Sequence, residues 1–195
     1  MSKQQKKIVI IDNHDSFTYN LYQIFDEHPH CVVEVVPNDA ADLNELKKYH
    51  GIVLSPGPDV PEKYPVLSEI ISRYKHTTPI LGVCLGHQAI AEFFGAELIN
   101  LRRVYHGQRF EIEIDNTELL FHSLSSYIQV GLYHSWAVKR ENLPKDMEVT
   151  ACTKSGIIMA LRHRTYNVRG IQFHPESYMT AEGKKIVANW IELQL

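Results

Sequence analysis

Gly82-Val83-Cys84-Leu85-Gly86-His87-Gln88-Ala89-Ile90 is the stretch on which the reading of this chain turns. The apolar run 79–83 leads into it, and Ala89, Ile90, Phe93 and Phe94 follow at helical spacing before Gly95, which predicts strand, sharp turn, helix. Gly82 and Gly86 flank Cys84 at i−2 and i+2, the spacing of a nucleophile elbow. Small neighbours there let the backbone turn tightly and push the central side chain out of the sheet. A thiol so placed sits at a helix N-terminus, where unpaired N–H groups and the positive end of the macrodipole favour thiolate, the reactive form. The bland alternative is a buried cysteine at a strand end. The paired glycines favour the elbow.

Outward from the elbow, the N-terminal half alternates strand and helix. Strand-like runs fall at 7–11, 31–36, 51–54 and 79–83, with amphipathic patterns filling the gaps between them. Phe17, Leu21, Ile24 and Phe25 mark one helix, which Asp15 or Ser16 can cap, and Leu67, Ile70, Ile71 and Tyr74 mark another. Near-continuous apolar strands in such alternation predict a parallel sheet covered by helices on both faces. After Gly95 short runs at 97–101, 109–114, 126–131, 147–152, 157–162 and 168–173 are separated by turn residues. They predict further, partly antiparallel strands that extend the sheet or form a small second one. Ile186, Val187, Trp190 and Ile191 predict a closing helix. The fold class is therefore α/β: an open, mostly parallel sheet with helices on both faces and additional antiparallel strands in the C-terminal half, as a single domain over 1–195.

Composition narrows the function classes. The 195 residues are 44% hydrophobic and 22% charged with a formal net charge of −3, so no polybasic surface argues for nucleic acid or anionic membrane. Lys3, Lys6 and Lys7 precede only four apolar residues before Asp12, which predicts a first strand with a solvated tail rather than a signal peptide. No run is long enough to span a bilayer. Cys31, Cys84 and Cys152 are widely separated and lack a C-x-x-C spacing, so neither a disulfide framework nor structural zinc is expected. That points to a reducing, cytoplasmic setting, with Cys31 and Cys152 as inert core residues.

In an open α/β sheet, chemistry collects at the carboxyl ends of the parallel strands. Asp12-Asn13-His14-Asp15-Ser16, Ser55-Pro56-Gly57-Pro58 and Cys84 all fall at such ends and should share one rim. The first stretch, taken alone, reads best as a turn and helix cap, the reading kept for Ser16. The second is either a rigid turn or, with the Leu85 amide, an oxyanion hole built on the Gly57 N–H. A cysteine nucleophile needs a base, and eleven histidines are available. His174 follows the run 168–173, so it too should lie at a strand end; Pro175 stiffens the exit, and Glu176 can orient the imidazole. His87 reads as a packing or hydrogen-bonding residue, and His28, His30, His50, His76 and His122 as surface. No H-E-x-x-H spacing occurs, so no metal and no cofactor are expected.

These residues resemble a class I glutamine amidotransferase and, within it, the glutaminase subunits of anthranilate synthase and aminodeoxychorismate synthase. The resemblance spans nearly the whole chain through Asp12-Asn13-x-Asp15-Ser16-Phe17-Thr18-Tyr19-Asn20-Leu21, Ser55-Pro56-Gly57-Pro58, the elbow, Tyr133-His134-Ser135 and Gln172-Phe173-His174-Pro175-Glu176-Ser177. It implies a flavodoxin-like fold and attack of Cys84 on the carboxamide of L-glutamine. It further implies His174 as acid and base, Glu176 as its orienter, and the Gly57 and Leu85 amides on the oxyanion. Gln88 and the main chain of Ser135 and Trp136 would hold the substrate's α-amino and carboxylate groups. The family pattern consumes the chain, so the ammonia acceptor, chorismate, would sit on a separate synthase subunit. Four positions depart from the pattern: Asp59 for Gly, Gln108 for Lys, Leu132 for Arg and Trp136 for Leu. They fall in segments associated with partner and pocket, where Tyr105, Tyr133 and Trp136 are either exposed interface anchors or ordinary semi-buried aromatics. The competing readings are a stand-alone cysteine hydrolase of γ-glutamyl compounds and a non-catalytic scaffold of a synthase.

Overall fold

The structure is a computed structural model that describes residues 5–195, so Lys3 of the expected tail lies outside the described residues. Among them nine strands form one sheet: β1 (Lys6–Asp12), β2 (Cys31–Pro37), β3 (Gly51–Leu54), β4 (Ile80–Val83), β5 (Leu98–Ile114), β6 (Tyr127–Val138), β7 (Met147–Thr153), β8 (Ile158–His163) and β9 (Val168–Ile171). Their order is β2-β1-β3-β4-β9-β8-β7-β5-β6. The pairs from β2 through β9 are parallel, whereas β8, β7, β5 and β6 join in antiparallel pairs. The C-terminal strands thus extend the first sheet instead of forming a second.

The strands carry apolar side chains on both faces because helices cover both. Ile8 and Ile10 of β1 pack in a cluster with Leu21 and Phe25 of α1 (Thr18–Asp26) and with Ile186, Val187 and Trp190 of α4 (Gly183–Leu193). Val9 and Ile11, pointing the other way, pack with Leu67, Ile70 and Ile71 of α2 (Pro65–Tyr74) and Leu85 and Ile90 of α3 (Leu85–Phe93). Phe25 meets Trp190 edge to face at 5.9 Å, locking α1 against α4. No described helix is long and apolar enough to cross a membrane.

Several local expectations are corrected. The gap 37–50 holds no α-helix, only short 3-10 turns at Asn38–Ala40 and Glu45–Lys48, because Pro37, Asn38, Asp42 and Asn44 favour turns over continued helix. Runs 97–101 and 109–114 belong to one strand, β5, with register shifts between Asn100 and Tyr105 and between His106 and Gln108. The strand predicted at 168–173 ends at Ile171. Helix α1 begins one residue late, with Phe17 as its unassisted cap; Asp15 Oδ1 accepts the Phe17 N–H at 2.8 Å, and Ser16 is exposed. Cys31 is buried, which pushes its thiol up to about 12, with Asp26 adding to the effect. Cys152 is only half-buried because the core side of β7 is taken by Ala151 and Thr153. His50, His76 and His122 are exposed, but His28 and His30 are half-buried against each other.

Candidate active site

Cys84 occupies the junction of β4 and α3 at φ 52° and ψ −101°. A non-glycine residue there costs on the order of 1–3 kcal/mol, held by the surrounding structure. Its N–H donates to Ile171 O at 2.8 Å, and its carbonyl accepts from Gln88 N at 3.1 Å. The two flanking glycines are required for space. A Cβ on Gly82 would lie 2.4 Å from Gly86 C and O, and one on Gly86 would lie 2.3 Å from Leu54 O. Helix α3 can therefore settle directly on β3 and β4.

His174 arrives at the same rim from β9, the neighbour of β4. The turn that holds it is tied down on both sides: its N–H donates to Gly131 O at 3.2 Å, and Thr180 Oγ1 donates to its carbonyl at 2.7 Å. Its Nδ1 bonds Glu176 Oε1 at 2.6 Å, and both side chains are buried. Burial pulls the imidazole pKa down, but the Glu176 carboxylate and the Cys84 sulfur outweigh it and hold His174 well above the usual histidine value. Its Nε2 has no protein partner, so it is available to a substrate or to the thiol. The ring is boxed by Phe17 at 5.4 Å and Tyr133 at 5.0 Å, contacts for which the sequence carried no signal beyond their membership in the quoted motifs. Asp15, from the same β1–α1 loop, feels both His174 and Glu176; burial dominates and raises its pKa.

A cavity of about 150 Å³ opens beside the thiol, lined in part by Gly57, Cys84, Leu85, Gln88, Ser135 and Trp136. Every expected substrate and oxyanion residue thus borders one space, while His174 and Glu176 stand outside its lining. A larger cleft of about 380 Å³ beside α2 and α3, lined by residues such as Pro61, Glu62, Tyr64 and Phe93, has no cysteine and no histidine in its lining. The Gly57 loop is braced from β1: Asn13 is fully buried, its N–H donates to Ser55 Oγ at 2.9 Å and its Nδ2 to Ser55 O at 2.9 Å. The stretch at 12–16 therefore shapes the neighbouring loop as well as turning the chain.

The opposite wall comes from β6. Trp136 O accepts from Gln88 Nε2 at 3.0 Å and bonds His134 Nδ1 at 2.8 Å, so neutral His134 carries its proton on Nδ1. Burial pushes His134 down to about 4 and His87 to about 3, keeping both neutral at pH 7. His87 packs against Gly170 and is a core residue, as its position on the helix suggested. Tyr105, Tyr133 and Trp136 are half-buried rather than exposed, because the β5–β6 hairpin folds over the site. Among the departures from the family pattern, Asp59 adopts φ 69°, Gln108 accepts from Arg103, and Leu132 is fully buried. Among the described residues no group of three or more His, Cys, Asp or Glu is placed to hold a metal ion.

The family described as glutamine amidotransferase class-I matches residues 9–193. Anthranilate synthase component 2 of Pseudomonas aeruginosa is 43% identical over 194 residues, covering 96% of each chain. Aminodeoxychorismate/anthranilate synthase component 2 of Bacillus subtilis is 42% identical over 95% of each chain. Aminodeoxychorismate synthase component 2 of Escherichia coli is 42% identical over 94% of this chain and 98% of its own. The crystal structure of a Thermoplasma acidophilum protein, provisionally assigned as one of the subunits of GMP synthase, superimposes with a TM-score of 0.88 at 29% identity over 98% of this chain and 94% of that one.

Proposed function

Because the chain belongs to the class-I glutamine amidotransferases, we propose that it is the glutaminase subunit of a chorismate-aminating synthase, delivering ammonia for anthranilate or aminodeoxychorismate formation. The observation that carries this reading is the meeting of Cys84, the His174–Glu176 pair and one small polar-walled cavity on a single sheet rim. In the proposed reaction the Cys84 sulfur attacks the carboxamide carbon of glutamine. The developing oxyanion receives the Gly57 N–H and the Leu85 N–H, which as the first amide of α3 has no acceptor within its helix. His174 gives its proton to the departing amine, releasing ammonia and leaving a thioester. It then takes a proton from water, which attacks the thioester to release glutamate and restore the thiol. Glu176 holds the imidazole in the productive tautomer.

Gln88 directs both amide hydrogens into the protein, which leaves its Oε1 to accept from the substrate α-ammonium group. The main chain of Ser135 and Trp136 would meet the α-carboxylate. We further propose that 1–195 acts as one amidotransferase domain in the cytoplasm, with the chorismate-binding subunit on a separate chain, as the component names of the relatives suggest.

The test is glutamate release from glutamine by the purified chain, alone and with a chorismate-binding synthase subunit plus chorismate, with Cys84→Ala as control. Activation by the partner that vanishes in the mutant supports the reading, and the aminated product names the pathway. Full activity without a partner would replace it with a stand-alone hydrolase, and no Cys84-dependent glutamate in either condition with a scaffold.

A further inference from the structure

We infer that Gln172 is a positioning residue that holds the Cys84 sulfur as a hydrogen-bond acceptor and so favours its thiolate. The inference deepens the glutaminase reading and rests on it for the catalytic use of that thiolate. Gln172 immediately follows β9 and is fully buried. Its Nε2 lies 3.6 Å from Cys84 Sγ, and its Oε1 lies 3.1 Å from Gln88 Nε2. The polarity of this chain of amides is fixed from its far end. Trp136 O can only accept, so the group of Gln88 that faces it at 3.0 Å must be the NH₂. The second hydrogen of that NH₂ requires an acceptor, which fixes Oε1 of Gln172 toward Gln88. Nε2, which can only donate, is left facing the sulfur.

A sulfur that accepts from Gln172 cannot direct its own proton along the same line. The proton is better placed on His174, whose Nε2 is otherwise without a partner and whose neighbour Glu176 stabilises the imidazolium. The donor thus acts on the same proton distribution as the helix N-terminus beneath the thiol. The backbone fixes the donor in place: Gln172 N–H bonds Met159 O at 2.8 Å, tying residue 172 to β8 beyond the last paired residue of β9. A glutamine serving only to fill a buried polar slot would influence stability and leave the titration of the sulfur where it is.

The experiment is a pH titration of the Cys84 thiolate in the full-length free chain, read by ultraviolet absorbance against Cys84→Ala as blank. Wild type is compared with Gln172→Met, which keeps volume without the donor, and Gln172→Glu, which keeps shape and puts an acceptor toward the sulfur. The midpoint in Gln172→Met is expected to rise by about one pH unit, a tenfold loss of thiolate below it, as for loss of one hydrogen bond to a charged acceptor. Gln172→Glu is expected to raise it further. An unchanged or lowered midpoint in a folded variant overturns the inference; if Met is not tolerated in the fold, the isosteric Glu variant decides. Midpoints that shift as described in the variants, in a wild-type chain that releases no glutamate either alone or with the chorismate-binding subunit and chorismate, overturn the glutaminase reading instead, so the two failures are distinguishable.

Discussion

Gly183, the first residue of α4, supports the turn that carries His174 although it contributes no side chain. A Cβ at this position would lie 1.8 Å from Pro175 O and 2.8 Å from Pro175 C, where real Cβ atoms essentially never come within 3.0 Å. Gly183→Ala therefore requires about 1.2 Å of separation between two stretches of backbone. Neither yields easily. Helix α4 is pinned by buried Ile186, Val187 and Trp190, and the turn by the hydrogen bonds of Thr180 Oγ1 and Ser177 N to His174 O at 2.7 and 3.2 Å. Helix propensity alone predicts the opposite sign, a gain of up to about 1 kcal/mol for alanine. Overpacking costs about 1–3 kcal/mol, so after that offset the net expectation is a loss of roughly 1 kcal/mol. Any part of the separation taken up by the turn moves the His174–Glu176 pair, and a misplacement of about 1 Å costs on the order of 10²-fold in rate. Urea unfolding at constant m-value measures the first effect, and glutamate release at saturating glutamine the second. An alanine variant as stable as its parent, or more so, with an unchanged rate would refute the packing argument.

Three further outcomes are expected. Glu176→Gln removes the negative charge that keeps His174 protonated, so glutamate release should fall on the order of 10²–10⁴-fold and the His174 limb of the pH–rate profile should move to lower pH; an unmoved limb would contradict the assigned role. Buried His134 and His87 titrate at about 4 and about 3 in the folded chain against an ordinary histidine value of 6.5. Their contribution to stability is complete above pH 6.5 and is lost as pH falls through that window, because the unfolded chain takes up the protons first. His134→Gln should flatten the acid side of the stability curve by up to about 1.4 kcal/mol per pH unit, measured by urea unfolding between those limits. Finally, buried Glu118 accepts from Arg169 Nε at 2.6 Å and Arg162 Nη1 at 2.9 Å, and none of the three lines the cavity. Glu118→Ala should cost about 3–5 kcal/mol by stranding Arg169, with the rate of the folded fraction unchanged in a glutamate-release assay.

The local devices of this protein were legible in its residues. Gly82 and Gly86 announce the elbow because only a residue without Cβ permits α3 to rest on β3 and β4, and that constraint is written within five positions. The apolar period of α1, α2 and α4 and the unbroken apolar runs of β1, β3 and β4 are similarly local, so the parallel half and its helices follow from pattern alone. The 37–50 segment misled because its apolar spacing is real, whereas its Asn, Asp and Pro residues stop the helix before it can propagate.

What tertiary structure alone decided is which strands stand side by side along the rim. The sheet order places β9 beside β4, so a histidine and a glutamine ninety and eighty-eight residues from Cys84 come beside it, and nothing in their local sequence ranks Gln172 as a partner of the sulfur. The β5–β6 hairpin continues past its expected ends and folds Tyr133 against Phe17 and His174, which decides between the two readings left open for Tyr105, Tyr133 and Trp136: they form a half-buried wall. Periodicity reports which face of an element is buried, through the side-chain spacing of that element. It carries nothing about the neighbour that does the burying, which is set by strand order and by packing across the whole sheet.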